Sequence, residues 1–133
     1  NGNFHYTDNY AGSCQAPGDE IVRWQKEDGQ RIWHMAYSGG MLPNLWDNKP
    51  LAQATYSFLK EVLLYVSPEL PFRGPSRLHN EEFLYEMNVD EDIRRFSGKE
   101  KISLRHKEAL KFGFWGTVFS QDFIGGLVVP KVK

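Results

Sequence analysis

The chain has 133 residues, 41% of them hydrophobic and 14% aromatic, and its 16 Lys and Arg against 17 Asp and Glu give a formal net charge of -1. That length supports one hydrophobic core rather than two, the balance of charge argues against nucleic acid as a general partner, and no apolar run reaches the roughly 20 residues that cross a bilayer. The single cysteine, Cys14, excludes an intrachain disulfide and fits a reducing cytoplasm, and the N-terminus has no basic-then-apolar export pattern. Because the chain starts at Asn1 rather than Met, a trimmed, processed or excised form of a longer protein is expected.

In chain order, residues 4–10 read as a first strand carrying Phe4, Tyr6 and Tyr10, followed by a polar loop from Gly12 to Gly18. Ile21 to Gln25 and Ile32 to Ser38 form a hairpin, with Asp28-Gly29 supplying the tight turn. Period-two alternation places Trp33, Met35 and Tyr37 on a core face and Ile32, His34, Ala36 and Ser38 on the other. A helix is expected over about 50–66, capped by Asp47 or Asn48, with Pro50 in its first turn and an apolar stripe of Leu51, Ala54, Phe58, Val62 and Val66 beside Leu59 and Leu63. Pro68 and Pro71 end it, and Pro71-Phe72-Arg73-Gly74-Pro75 forms a stiff connector. A second set of strands follows over about 83–119, its hairpin turning near Arg105 to Glu108 and its last strand, Leu110 to Gly116, placing Leu110, Phe112 and Phe114 toward the core. Residues 125–129 read as a short terminal strand, kept from the middle of the sheet by Pro130. Neighbouring charges of opposite sign (Glu81 to Asp92, then Arg94 to Lys111) read as a solvated outer face on which they pair.

The two sets of strands share a pattern. Phe4-His5-Tyr6 answers to Phe83-Leu84-Tyr85, Gly18-Asp19-Glu20 to Gly98-Lys99-Glu100, and the aromatic strand closing at Gly39 to the one closing at Gly116. The expected fold is therefore α+β: two β-meander repeats (about 4–42 and 83–119) forming one curved, mostly antiparallel sheet in a single domain over 1–133, with the amphipathic helix packed on it.

Gly18-x-Glu20-Ile21-Val22, Trp33-x-Met35-x-Tyr37-x-Gly39-Gly40, Phe58-Leu59-Lys60, Pro71-Phe72-Arg73-Gly74-Pro75 and Phe96-x-Gly98-x-Glu100-x-Ile102 occur in this order. The series resembles a family of uncharacterised bacterial domains of unknown function, found alone or behind XRE-type helix-turn-helix regulators. The second repeat differs in reading Gly116-Thr117 where a Gly-Gly pair is usual. The resemblance implies no reaction; its regulator context implies a sensing or interaction module.

Glu20 and Glu100 are the leading polar candidates. Side by side they would drive their pKa values apart and serve acid/base work; alternatively each is tied by a backbone N–H or an arginine within the fold. Arg73 grips one of these glutamates or an anionic ligand. Trp33, Tyr37 and Tyr85 line a ligand cavity or fill a plain core, and with Glu20, Arg73 and Glu100 complete the expected ligand-binding set. His5, His34, His79 and His106 lack metal-ligand spacing, Cys14 has no cation beside it, and neither a phosphate loop nor a nucleophile elbow is present, so no metal, cofactor or catalytic residue is assigned. The expectation is a non-enzymatic small-molecule-sensing or interaction module of the bacterial cytoplasm. The alternatives are a small enzyme working through Glu20, Glu100 and Arg73 in a cleft, and an oligomerisation module forming a homodimer through Trp46 and Trp115.

Overall fold

The structure, a computed structural model, describes residues 3–66, 73–90, 92–108 and 115–130. In chain order the strands are β1 (Phe4–Tyr10), β2 (Gly18–Trp24), β3 (Arg31–Met41), β4 (Arg77–His79), β5 (Phe83–Val89), β6 (Arg95–Leu104) and β7 (Gly116–Leu127), with one helix, α1 (Lys49–Leu63), between β3 and β4. They form a single curved sheet of seven strands in the order β1-β2-β3-β7-β6-β5-β4, antiparallel throughout.

One face of this sheet is the core. Met35 and Tyr37 of β3, Phe119 and Phe123 of β7, Ile102 and Leu104 of β6 and Phe83, Tyr85 and Met87 of β5 are all buried, and Trp33 packs against them half-buried. Helix α1 covers this face because its stripe of Leu51, Thr55, Phe58, Leu59 and Val62 is buried. Phe58 stacks on Phe83 with ring centroids 5.3 Å apart, and Tyr56 meets Phe119 edge-on at 5.7 Å. Asn48 caps the helix by accepting from the Leu51 N–H at 3.2 Å, and Pro50 occupies the first turn, where its missing N–H leaves nothing unpaired. The helix stops at Leu63, three residues short of the sequence expectation, and Val66 is exposed. Pro68 and Pro71 lie outside the described residues.

Three expectations about the second half need correction. The strand expected to close at Gly116 instead begins there; Leu110, Phe112 and Phe114 lie outside the described residues. Residues 125–129 do not form a separate terminal strand, since 125–127 are the end of β7, which runs through the middle of the sheet between β3 and β6. Pro130 is compatible with that central place because it falls after the last paired residue, Leu127. The expected hairpin turn near Arg105 to Glu108 is one turn of 3-10 helix, His106–Glu108, and β7 starts at Gly116.

Gly39-Gly40, beyond the Ser38 end expected for that strand, lies inside β3. Both residues have φ of +150°, and a Cβ on either would lie 2.2 Å from a carbonyl oxygen, of Ser120 for Gly39 and of Cys14 for Gly40. The pair therefore lets β7 on one side and the Cys14 loop on the other close onto β3. The β3–β7 seam is reciprocal: Gly39 stands opposite Gln121 and Gly125 opposite Met35. Glu20 in turn opposes Met35, and Glu100 opposes Gln121.

On the outer face, Lys99 pairs with Asp122 at 3.2 Å and Lys101 with Glu86 at 3.8 Å, the neighbour pairing that the charge pattern implied. Such exposed pairs contribute little stability.

Replacing Gly40 by Ala should destabilise the fold more than replacing Gly116. Both have positive φ, which alone costs about 1–3 kcal/mol, but an added Cβ at Gly116 meets nothing within 4 Å. Urea unfolding of the two variants measures the gap; equal losses would show that the Cys14 loop does not press on β3.

Candidate functional site

Alternation on β2 and β6 turns Glu20 and Glu100 onto the core face, where an unpaired carboxylate could not remain. Arg73, four residues before β4, lies between them. Its Nη1 donates to Glu20 Oε2 at 2.9 Å and its Nε donates to Glu100 Oε1 at 3.0 Å. One guanidinium thus joins a strand from each side of the β3–β7 seam. All three residues are buried, Glu100 completely.

Glu100 is held by three donors. Besides Arg73, Gln121 Nε2 donates to the same Oε1 at 2.7 Å, and the Tyr85 hydroxyl donates to Oε2 at 2.6 Å. Glu20 is hydrogen-bonded by the Tyr6 hydroxyl in addition to Arg73. The Arg73 guanidinium also lies over the Tyr37 ring, 5.0 Å from its centroid, while the Tyr37 hydroxyl donates to Asp8 Oδ1 at 2.6 Å.

Three carboxylates, of Asp8, Glu20 and Glu100, therefore gather around one guanidinium, and the electrostatics reflect that excess. Burial pushes the Glu20 carboxyl above its ordinary value, against the opposing pull of Tyr6 and Arg73. Burial, then the Glu100 charge and hydrogen bond, holds the Tyr85 hydroxyl protonated far beyond the usual phenol range. Tyr37 and Tyr6 are raised in the same way, by burial first and then by Asp8 and Glu20 respectively. Burial works against the Arg73 cation, but the charges of Glu100 and Glu20 outweigh it and keep the guanidinium more firmly protonated than usual.

Of the expected site residues, Glu20, Tyr37, Arg73, Tyr85 and Glu100 come together here. Trp33 stands apart: its ring stacks on Phe96 at 5.6 Å and its indole N–H donates to the Ile93 carbonyl at 3.3 Å. Asp8, Tyr6 and Gln121 belong to the network and were not anticipated. Alternation along β1 was the available signal for the first two, since it places Tyr6 and Asp8 on one face, with Asp8 opposite Glu20. Gln121 fell between the strands expected in the second half.

A cavity of about 230 Å³ borders the network, between the sheet and α1. Its walls are Asp8 and Tyr10 of β1, Tyr37 of β3, Phe119 and Gln121 of β7, Arg73, Ala16, and the helix stripe Tyr56, Leu59, Lys60 and Leu63. The Tyr56 hydroxyl donates to the Cys14 carbonyl at 3.1 Å, and burial raises its pKa to about 12. A larger depression, about 690 Å³, opens elsewhere along Ala36, Ser38, Ser97, Gly98 and Asp122. It is wide open, and its Lys99 and Asp122 neutralise each other. The smaller cavity is the better candidate because the buried charges and tyrosines converge on it. Among the described residues no group of three or more His, Cys, Asp or Glu side chains is arranged to hold a metal ion.

Replacing Arg73 by Met strands two buried carboxylates and should cost about 3–5 kcal/mol in urea unfolding; a loss below about 1 kcal/mol would contradict the geometry. Glu20→Gln tests the pH response. Because the folded-state pKa of Glu20 is raised from 4.5, its contribution to stability is full below the unfolded value and is lost as pH rises through the folded one. The stability of the wild type relative to Glu20→Gln should fall with rising pH across that window and level off above it. A rise over the same window would reverse the assignment.

The model of a domain of unknown function, DUF5680, matches residues 8–126, a span that runs from Asp8 through Glu20, Tyr37, Arg73, Glu100 and Gln121 to the glycine pair of β7. No curated protein and no solved structure matches the chain. With most of its length covered by that one match, the chain belongs to the DUF5680 family.

Proposed function

We propose that this chain is a non-enzymatic binding module that receives a small molecule in the cavity between α1 and the sheet. The observation that carries the reading is the composition of that cavity: three tyrosines, Tyr10, Tyr37 and Tyr56, with Leu59, Leu63 and Phe119, and a few fixed polar groups along one wall. Ligand sites are built this way, from apolar surface with sparse, oriented polar atoms. The resemblance to bacterial domains that stand alone or behind XRE-type regulators fits the same reading, because that context implies a sensing or interaction module in the cytoplasm.

The enzyme alternative required Glu20 and Glu100 to meet in an open cleft. Both carboxylates are instead enclosed and occupied by internal donors, an arrangement that supports structure rather than proton transfer to a substrate. For the dimer alternative, Trp46 and Trp115 are partly exposed. Each ring nevertheless makes a contact within its own chain: the Trp46 indole N–H donates to the Met41 carbonyl at 2.8 Å, and Trp115 meets His106 edge-on at 4.8 Å.

We also infer a duplication in the origin of the sheet, with a different register from the one that the sequence suggests. The reciprocal pairing at the β3–β7 seam supports matching Glu20 with Glu100, Met35 with Gln121 and Tyr37 with Phe123. Gly39-Gly40 then answers to Gly125-Gly126 rather than to Gly116. Superposing β1–β3 on β5–β7 in this register tests it.

The binding reading is tested by a thermal-shift screen of small molecules against the wild type and Leu63→Trp, which fills the cavity. A ligand at 100 times its Kd adds about 2.7 kcal/mol to stability, so a true occupant raises the wild-type Tm by several degrees and leaves the variant unmoved. A screen in which every hit stabilises both proteins equally would sink the reading.

A further inference from the structure

We propose that the occupant of this cavity is a small zwitterion, an alkylammonium compound with a carboxylate a few bonds away; the inference rests on the cavity being a binding site. The charge distribution speaks against a simple anion. Arg73, the obvious receptor for one, gives its Nε to Glu100 and its Nη1 to Glu20. Asp8, Glu20 and Glu100 outnumber it, and of these the exposed Asp8 lines the cavity, so the Asp8 end is a place for positive charge.

The side chains at that end suit an ammonium group in particular. Asp8 faces the cavity with its Oδ1 held by the Tyr37 hydroxyl at 2.6 Å. An ionised carboxylate accepts more than one hydrogen bond or ionic contact, so it can still receive a cation. Tyr10, Tyr37 and Tyr56 present aromatic carbon around the same space, and aromatic faces attract alkylammonium groups, which carry little hydration to lose. Burial keeps the Tyr37 and Tyr56 hydroxyls protonated, so neither ring adds a charge of its own.

The helix wall carries a cation. Lys60 lies one turn beyond Tyr56 on α1 and lines the cavity from its exposed side. Among the described residues it forms no ion pair. A ligand with its ammonium at Asp8 and its carboxylate at Lys60 satisfies both, whereas a plain cation would leave Lys60 beside it uncompensated. The size agrees: at about 30 Å³ for each water-sized unit, the 230 Å³ space takes a molecule of roughly eight heavy atoms.

Three probes of nearly one shape separate the charges: glycine betaine, choline, and 3,3-dimethylbutyrate, which replaces the betaine nitrogen with carbon. Titration calorimetry should show saturable binding of glycine betaine, with choline weaker and 3,3-dimethylbutyrate weaker by at least tenfold. Asp8→Asn, checked for folding by circular dichroism, should weaken betaine at least tenfold. Lys60→Ala, at an exposed position, should remove the preference for betaine over choline. If 3,3-dimethylbutyrate binds as well as betaine, or if choline binds better than betaine to the wild type, the zwitterion assignment is overturned. If none of the three binds while other compounds lose binding in Leu63→Trp, this inference fails and the binding module stands. If no compound distinguishes Leu63→Trp from the wild type, both fail.

Discussion

One buried guanidinium organises this protein. Arg73 follows the helix in the chain, yet its two short contacts reach β2 and β6, strands that flank the central β3–β7 pair. Both sides of the sheet are thereby referred to a single side chain. A buried ion cluster of this kind need not exceed apolar packing in net stability. Its consequence is positional, because three donors on Glu100 and two groups on Glu20 are satisfied together in one arrangement of strands and helix.

The same cluster shapes the chemistry of the cavity beside it. With Arg73 committed to its glutamates, the wall it forms is polar, and Asp8 adds a carboxylate to the same lining. The tyrosines act twice: Tyr37 packs under the guanidinium through its ring and fixes Asp8 through its hydroxyl. Enclosed glutamates and cavity-lining side chains therefore belong to one network. This explains how residues of catalytic type can be enclosed while a cavity still borders them.

Much of this was legible in the residues. The Asn48 and Pro50 signals, with the stripe through Phe58 and Val62, located α1 to within a few residues because helix starts carry local chemistry. Period-two alternation assigned Met35 and Tyr37 to the core, and the paired Gly-x-Glu motifs drew attention to Glu20 and Glu100 together. A grip on one of them was one of the two readings open for Arg73, which in the structure holds both. What failed was local pattern without tertiary context. Aromatic density around Phe112 and Phe114 suggested a strand that closes at Gly116, whereas β7 begins there, and its run through Gln121 and Gly125 is less apolar than a central strand usually is. The continuation of β3 through Gly39-Gly40 past Ser38 was not legible because the reason for two glycines, the approach of Ser120 and Cys14, lies in other segments. Asp8 and Gln121 escaped for the same reason: each acquires its role from a partner distant in sequence.

The claim that Arg73 couples the two carboxylates is tested most directly by a double-mutant cycle of Glu20→Gln and Glu100→Gln, read by urea unfolding at neutral pH. The two glutamates share one guanidinium, so the losses should not add, with an interaction energy of about 1 kcal/mol or more. Additive losses within about 0.3 kcal/mol would mean that each carboxylate is stabilised on its own, and that Arg73 does not bind the halves of the sheet together.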